Sequence, residues 1–225
     1  MKNWIKIGGI AGIILIALTI LNIARSYLLL IGATSELGHL NELIFFPDGI
    51  LSAFLLILLY LGFFFVAKKY NKKFLKIISM LAIIFSLIDF LFEALVNILI
   101  YLAPQYLHFL TSQFYTYSYM GLYSIIGILT LLFGIGLMTL RKINKLSFIA
   151  GILILADFII GLIVSGYIFV NQISQIQHAG SMYFISIIYS IFNIAILLLE
   201  VIILFRLSRF KTNEKLNRKR KNRKT

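Results

Sequence analysis

The chain has 225 residues, 61% of them hydrophobic and only 13% charged, and its mean hydropathy is +0.99. That composition excludes an ordinary water-soluble domain. Lys and Arg number 21 against 8 Asp and Glu, for a net charge of +13, and there is no cysteine, which removes disulfides, thiolate metal sites and a cysteine nucleophile.

Several apolar runs reach about 20 residues, the length that crosses a hydrocarbon core roughly 30 Å thick. Only helices or closed barrels satisfy every backbone group in lipid. Barrel strands are about ten residues long and alternate in polarity, whereas these runs are longer and continuously apolar. The fold class expected is therefore all-α, a polytopic membrane helix bundle of six spans.

The first span runs from Ile5 to Ile31 and contains Arg25. Lys2 and Lys6 before it imitate a signal peptide, but the run is too long and has no small-residue cleavage site, so it reads as an uncleaved helix. An acidic segment with Glu36, His39, Glu42 and Asp48 follows. Pro47-Asp48-Gly49 reads as a turn, Asp48 as an N-cap, and residues 50–67 as the second span, stopped by Lys68-Lys69-Tyr70-Asn71-Lys72-Lys73. The third span covers residues 77–102 and is closed by Pro104. A charge-free outer loop with Gln105, His108 and Tyr115-Thr116-Tyr117 leads to the fourth span, residues 120–140, which stops at Arg141-Lys142. The fifth and sixth spans cover 146–170 and 182–205, and residues 206–225 form a basic tail expected to be disordered.

In this layout Lys2 and Lys6, Lys68 to Lys76, Arg141 to Lys145 and Arg206 to Lys224 all fall on one side. Cytoplasmic loops carry such an excess, so both termini are expected to be cytoplasmic in a multi-pass protein of the cell membrane. The tail, with Arg218-Lys219-Arg220-Lys221 and Arg223-Lys224, suits anionic lipid headgroups at about 1 kcal/mol per basic residue near the surface. The expected partners are the bilayer, those headgroups, and a protein partner or a second copy of the chain. No specific nucleic-acid contact and no cofactor is expected.

A mid-membrane carboxylate costs about 2.5 to 3.5 kcal/mol on insertion scales, so such residues usually face a bundle interior. Ser86, Asp89, Glu93 and Asn97 recur every three or four positions and form one stripe on the third span. Asp157 has a similar depth on the fifth span, and Gly161 and Ser165 continue its face in small residues, which suggests that spans three and five meet. Ser186, Ser190, Asn193 and Glu200 share a face of the sixth span, and Asn22 and Ser26 share one of the first. Asp89, Glu93, Asn97, Asp157 and Asn193 are the candidate polar core. Arg25 matches Glu93 in depth, and the two are expected to pair. Glu200 lies near the inner boundary, where snorkelling or pairing with a basic loop accounts for it.

Catalytic chemistry has little support. Asp89 and Asp157 lack the Gly-x-Gly-Asp context of intramembrane aspartyl proteases, and no Gly-x-Ser-x-Gly elbow or HExxH helix is present. His39, His108 and His178 are spread one per outer loop, with no metal-ligand spacing. The motif Lys68-Lys69-Tyr70-Asn71-Lys72 echoes Arg141-Lys142-Ile143-Asn144-Lys145, each with an Asp-Phe pair in the following span, which is consistent with either a duplicated hairpin or coincidence.

Ile7-Gly8-Gly9-Ile10-Ala11-Gly12-Ile13, Asp48-Gly49-Ile50-Leu51, Gly134-Ile135-Gly136-Leu137 and Ile149-Ala150-Gly151-Ile152-Leu153 give the chain a layout that resembles small six-span prokaryotic membrane proteins grouped as a domain of unknown function. The resemblance implies the six-span fold and no particular activity. Two functions from different classes therefore remain: a transport-like or ligand-binding bundle with a carboxylate-lined core, and a non-catalytic accessory or scaffold protein with a lipid- or partner-binding tail.

Overall fold

A computed structural model of the chain describes residues 1–30, 34–102, 113–173 and 179–209. Within them are six helices and no strand: α1 (Lys2–Leu30), α2 (Thr34–Lys69), α3 (Lys73–Leu102), α4 (Gln113–Met138), α5 (Lys145–Ile173) and α6 (Ala179–Arg209). Five contain stretches long and apolar enough to span a bilayer, Lys2–Ala24, Ile50–Lys69, Lys73–Val96, Lys145–Ile163 and Ile187–Arg209. The 26-residue α4 contains the shorter apolar stretch Ser124–Met138.

Two expected boundaries are corrected. Helix α2 already begins at Thr34, so Pro47-Asp48-Gly49 lies inside it and Asp48 is not an N-cap. Proline removes one backbone donor from the ladder, but its fixed φ is compatible with helix, so a helix can run through it. Likewise α4 begins at Gln113, so Tyr115-Thr116-Tyr117 is helical rather than loop.

The two turns that echo each other in sequence are built differently. Asn71 ends α2 in the left-handed region at φ 54°, and the Lys72 amide donates to the Ala67 carbonyl at 2.9 Å, closing the helix C-terminus. Asn144 instead caps the N-terminus of α5: its side-chain oxygen accepts from the Leu146 amide at 3.2 Å. Equivalent asparagines thus perform opposite tasks, which weakens the case for duplication at this point of the chain.

The helices pack in chain order, α2 on α3, α3 on α4, α4 on α5 and α5 on α6. The ring closes where α6 meets α2, and α1 packs against both of these. Glycines set the closest crossings. A Cβ on Gly8 would lie 2.7 Å from the Gly62 Cα, and one on Gly151 would lie 2.5 Å from the Gly134 carbonyl oxygen. In lipid, where apolar burial gives little drive to associate, this intimacy of backbones is what dispersion forces need. Bulky aliphatics such as Ile77, Leu91, Ile163 and Ile191 point outward, as a lipid-facing surface requires.

The basic ends of all six helices gather at one end of the bundle. There Trp4 stacks on Phe65 with centroids 5.9 Å apart, and the Lys69 ammonium donates to the Leu207 carbonyl at 2.8 Å. A cation on the final carbonyls of α6 complements the negative end of its dipole. Tyr70, beyond the span, also reaches the Leu207 carbonyl, at 3.5 Å, and burial raises its phenol pKa so that it keeps the proton it donates. The main core lies toward this end, with Ile5, Phe63, Val66, Leu75, Phe133, Leu137, Leu140, Ile203, Leu204 and Leu207 fully enclosed.

Candidate functional site

Outward of this apolar core the buried faces turn polar. On α3 the enclosed stripe runs Leu75, Ser79, Ala82, Ser86 and on to Asp89, whose Oδ1 is buried without a protein partner. On α5 it runs Ser147, Ala150, Ile154 and Asp157. At 1.5 Å per residue, Asp157 lies about 18 Å along α5 from Lys145, and Asp89 about 24 Å along α3 from Lys73, so both carboxylates sit deep within the spans.

Asp157 is only 8% exposed. Its Oδ2 accepts a long hydrogen bond, 3.4 Å, from the Tyr189 hydroxyl of α6, while its Oδ1 is buried with no partner. Asn193, one turn further along α6, lies beside the same hydroxyl. The hydroxyl packs over Gly161, where a Cβ would stand in ordinary contact with it at 3.5 Å. Asp157 and Asn193, expected from sequence to belong to a polar core, thus lie on either side of Tyr189, whose role no local sequence mark announces.

A second polar group lies nearer the basic end. Glu200 is only 5% exposed, about 14 Å along α6 from Arg209, so it does not snorkel, and it has no ion pair among the described residues. The helix face that carries it points into the bundle, toward the level of Tyr60 on α2 and Thr130 on α4. The Thr130 hydroxyl donates to the Ile126 carbonyl at 2.9 Å, which leaves its oxygen free to accept. Immediately below, Phe133 meets Tyr60 and Phe63 edge to face, each at 5.1 Å. Because α2 and α4 are not ring neighbours, these aromatic contacts cross the interior.

Other expectations fare differently. The backbones of α3 and α5 are not in contact among the described residues; α4 stands between them, so Asp89 and Asp157 belong to separate interfaces. The Gly161 face receives α6 instead. Arg25, Glu93 and Asn97 lie on α1 and α3 as expected, but their side chains are outside the described residues, as are those of Ser165, Ser186 and the three histidines. Helices α1 and α3 flank α2 on either side without backbone contact among the described residues. The tail beyond Arg209 also lies outside the described residues.

Chemically, these are oxygen sites: carboxylates with phenol, amide and hydroxyl neighbours, and no ion pair on Asp89, Asp157 or Glu200 among the described residues. Such groups can hold a proton or a cation. Long apolar helices, a lipid-facing aliphatic surface and polar faces turned inward define a polytopic α-helical integral membrane protein. Comparison with protein-family models, curated proteins and solved structures finds no match to this chain.

Proposed function

We propose that the chain is a transport-like bundle of the cell membrane, with both termini cytoplasmic, in which the carboxylates of the polar core carry a proton or a small cation. The orientation rests on the Lys and Arg gathered at one end. The observation that carries the function is Asp157: a deep, nearly enclosed carboxylate with one oxygen on Tyr189 and the other without a protein donor. A residue retained only to hold helices together is expected to satisfy its acceptors, because each unfilled one weakens the contact it is meant to make. Asp89, with the same orphaned oxygen on α3, and Asn193 extend the polar lining, and Glu93, Asn97 and Arg25 complete it as the outer part of the core with its counter-charge.

The expected result in proteoliposomes is gradient-driven flux of protons or of a monovalent cation, lost at least tenfold in Asp157→Asn with folding retained. Asp89→Asn is expected to reduce it less. Flux absent from the wild type, or unchanged in Asp157→Asn, would favour an accessory or scaffold role in which the basic end and tail hold anionic lipid or a partner protein.

A further inference from the structure

We infer that the outer face of α2 at the basic end, where Trp4, Phe65, Phe64 and Lys76 form one chain of contacts, is a docking surface for an anionic phospholipid. It lies at the end of the spans, apart from the polar core, and does not depend on what that core carries.

Three helices build it. The Trp4 ring of α1 stacks on Phe65 of α2 at 5.9 Å and 12°, Phe65 meets Phe64 edge to face at 5.5 Å, and the Lys76 ammonium of α3 stands 5.7 Å from the Phe64 centroid. The result is an aromatic ledge with a cation at one end. Lys68 follows Phe64 by four residues and Phe65 by three, so it rises from the middle of the same face, and it is exposed. Away from the basic end, Leu61 and the 47% exposed Phe54 continue that face, so the ledge opens onto an apolar track along α2.

Such a ledge suits a ligand of two chemistries. Trp4 stays 43% exposed although stacked, and a tryptophan at headgroup level turns its apolar body to lipid and its N–H to water. Lys68 and Lys76 bring ammoniums that no carboxylate answers: the sequence has no Asp or Glu in residues 1–35 or 49–88, and neither lysine has an ion pair among the described residues. The contact of Lys76 with Phe64 positions its charge without neutralising it. A phosphodiester held by the two lysines, with acyl chains laid over the rings and along Leu61 and Phe54, answers both parts of the surface. A zwitterionic headgroup brings its own cation, and a free phosphate has no chain for the track. An acidic protein segment would answer the lysines alone, since the track lies within the span Ile50–Lys69.

The sole tryptophan makes the surface its own probe. The full chain is reconstituted in phosphatidylcholine bilayers containing a minor fraction of dibrominated phosphatidylglycerol or of dibrominated phosphatidylcholine, and quenching of Trp4 fluorescence is compared at equal mole fraction. Phosphatidylglycerol is expected to quench at least about threefold more strongly at low ionic strength, with the preference shrinking in high salt. Lys68→Gln/Lys76→Gln, at two exposed side chains, is expected to lower quenching by phosphatidylglycerol to the phosphatidylcholine level. Its quenching by phosphatidylcholine should stay at the wild-type value, which shows that Trp4 keeps its depth. Lys142→Gln/Lys145→Gln removes the same charge from the α4–α5 turn, whose helices do not pack on α1 among the described residues, and is expected to keep the preference. Equal quenching by the two lipids in the wild type would overturn the docking surface and leave the lysines to an acidic protein partner. So would a preference that survives Lys68→Gln/Lys76→Gln, or one that falls equally in both double variants, the mark of diffuse surface charge rather than a built ledge. Flux through Asp157 bears on none of these outcomes.

Discussion

Gly62→Leu is expected to prevent recovery of the folded protein. A Cβ at Gly62 meets the Gly8 Cα at 3.0 Å, which is backbone and cannot rotate away, and two Leu204 methyls at 3.3 and 3.4 Å. Relief requires α1 and α2 to part, and with them the Trp4–Phe65 stack and the α2–α6 crossing that closes the ring. Overpacking costs about 1 to 3 kcal/mol even where side chains can adjust, and here the obstacle is another helix backbone, so the effect should lie at or beyond the upper end. Thermal unfolding in detergent, followed by size exclusion, measures it. Gly121→Leu is the control, because a Cβ there meets nothing within 4 Å. Equal recovery of both variants would show that the Gly8–Gly62 crossing does not hold the bundle.

Phe133→Ala is the second large effect. The ring is 1% exposed and makes both edge-to-face contacts across the interior. Truncating a buried phenylalanine costs about 3 to 5 kcal/mol in compact interiors, with about 0.5 to 1.5 kcal/mol of that class of loss specific to each aromatic pair. Beyond stability, the variant removes a ring from the apolar core that separates the polar faces from the basic end. A passive cation leak is expected in proteoliposomes, absent from wild type and restored toward it by Phe133→Leu. A destabilised but tight variant would place the barrier elsewhere.

Much of this molecule is legible without coordinates because lipid leaves few choices. Continuous apolar runs, the one-sided lysines and arginines, and the inward stripe Ser86–Asp89 follow from span length and helical periodicity alone. What periodicity does not carry is which helix stands beside which. Asp89 and Asp157 share a depth and suggested touching spans, but α4 intervenes. The partner of Asp157 is Tyr189, a tyrosine in a chain with 12 of them and no local mark of its role. Distance from the boundary suggests snorkelling for Glu200, but the face it occupies decides its surroundings: with Ile196, Ile203, Leu204 and Leu207 enclosed on the same side of α6, it faces inward too. The spacing of three and four residues carries that signal. Among the glycines behind the layout resemblance, Gly8, Gly9, Gly12, Gly134, Gly136 and Gly151 each have a neighbour within 3 Å of where a Cβ would stand. Their spacing is a packing requirement, which explains why it marks architecture and implies no activity.

The central claim is that the polar face of α5 and α6 serves a water-reachable path rather than a dry helix contact. Because the sequence has no cysteine, a single introduced thiol reports without background. Asn193→Cys in sealed vesicles, treated with a membrane-impermeant thiosulfonate from the side opposite the Lys- and Arg-rich ends, is predicted to label, since the reaction needs hydrated thiolate. Ile191→Cys, on the exposed aliphatic face, should not. Failure of Asn193→Cys to label from either side, in a folded variant, would contradict the account and leave Asp157, Tyr189 and Asn193 as interhelical contacts alone.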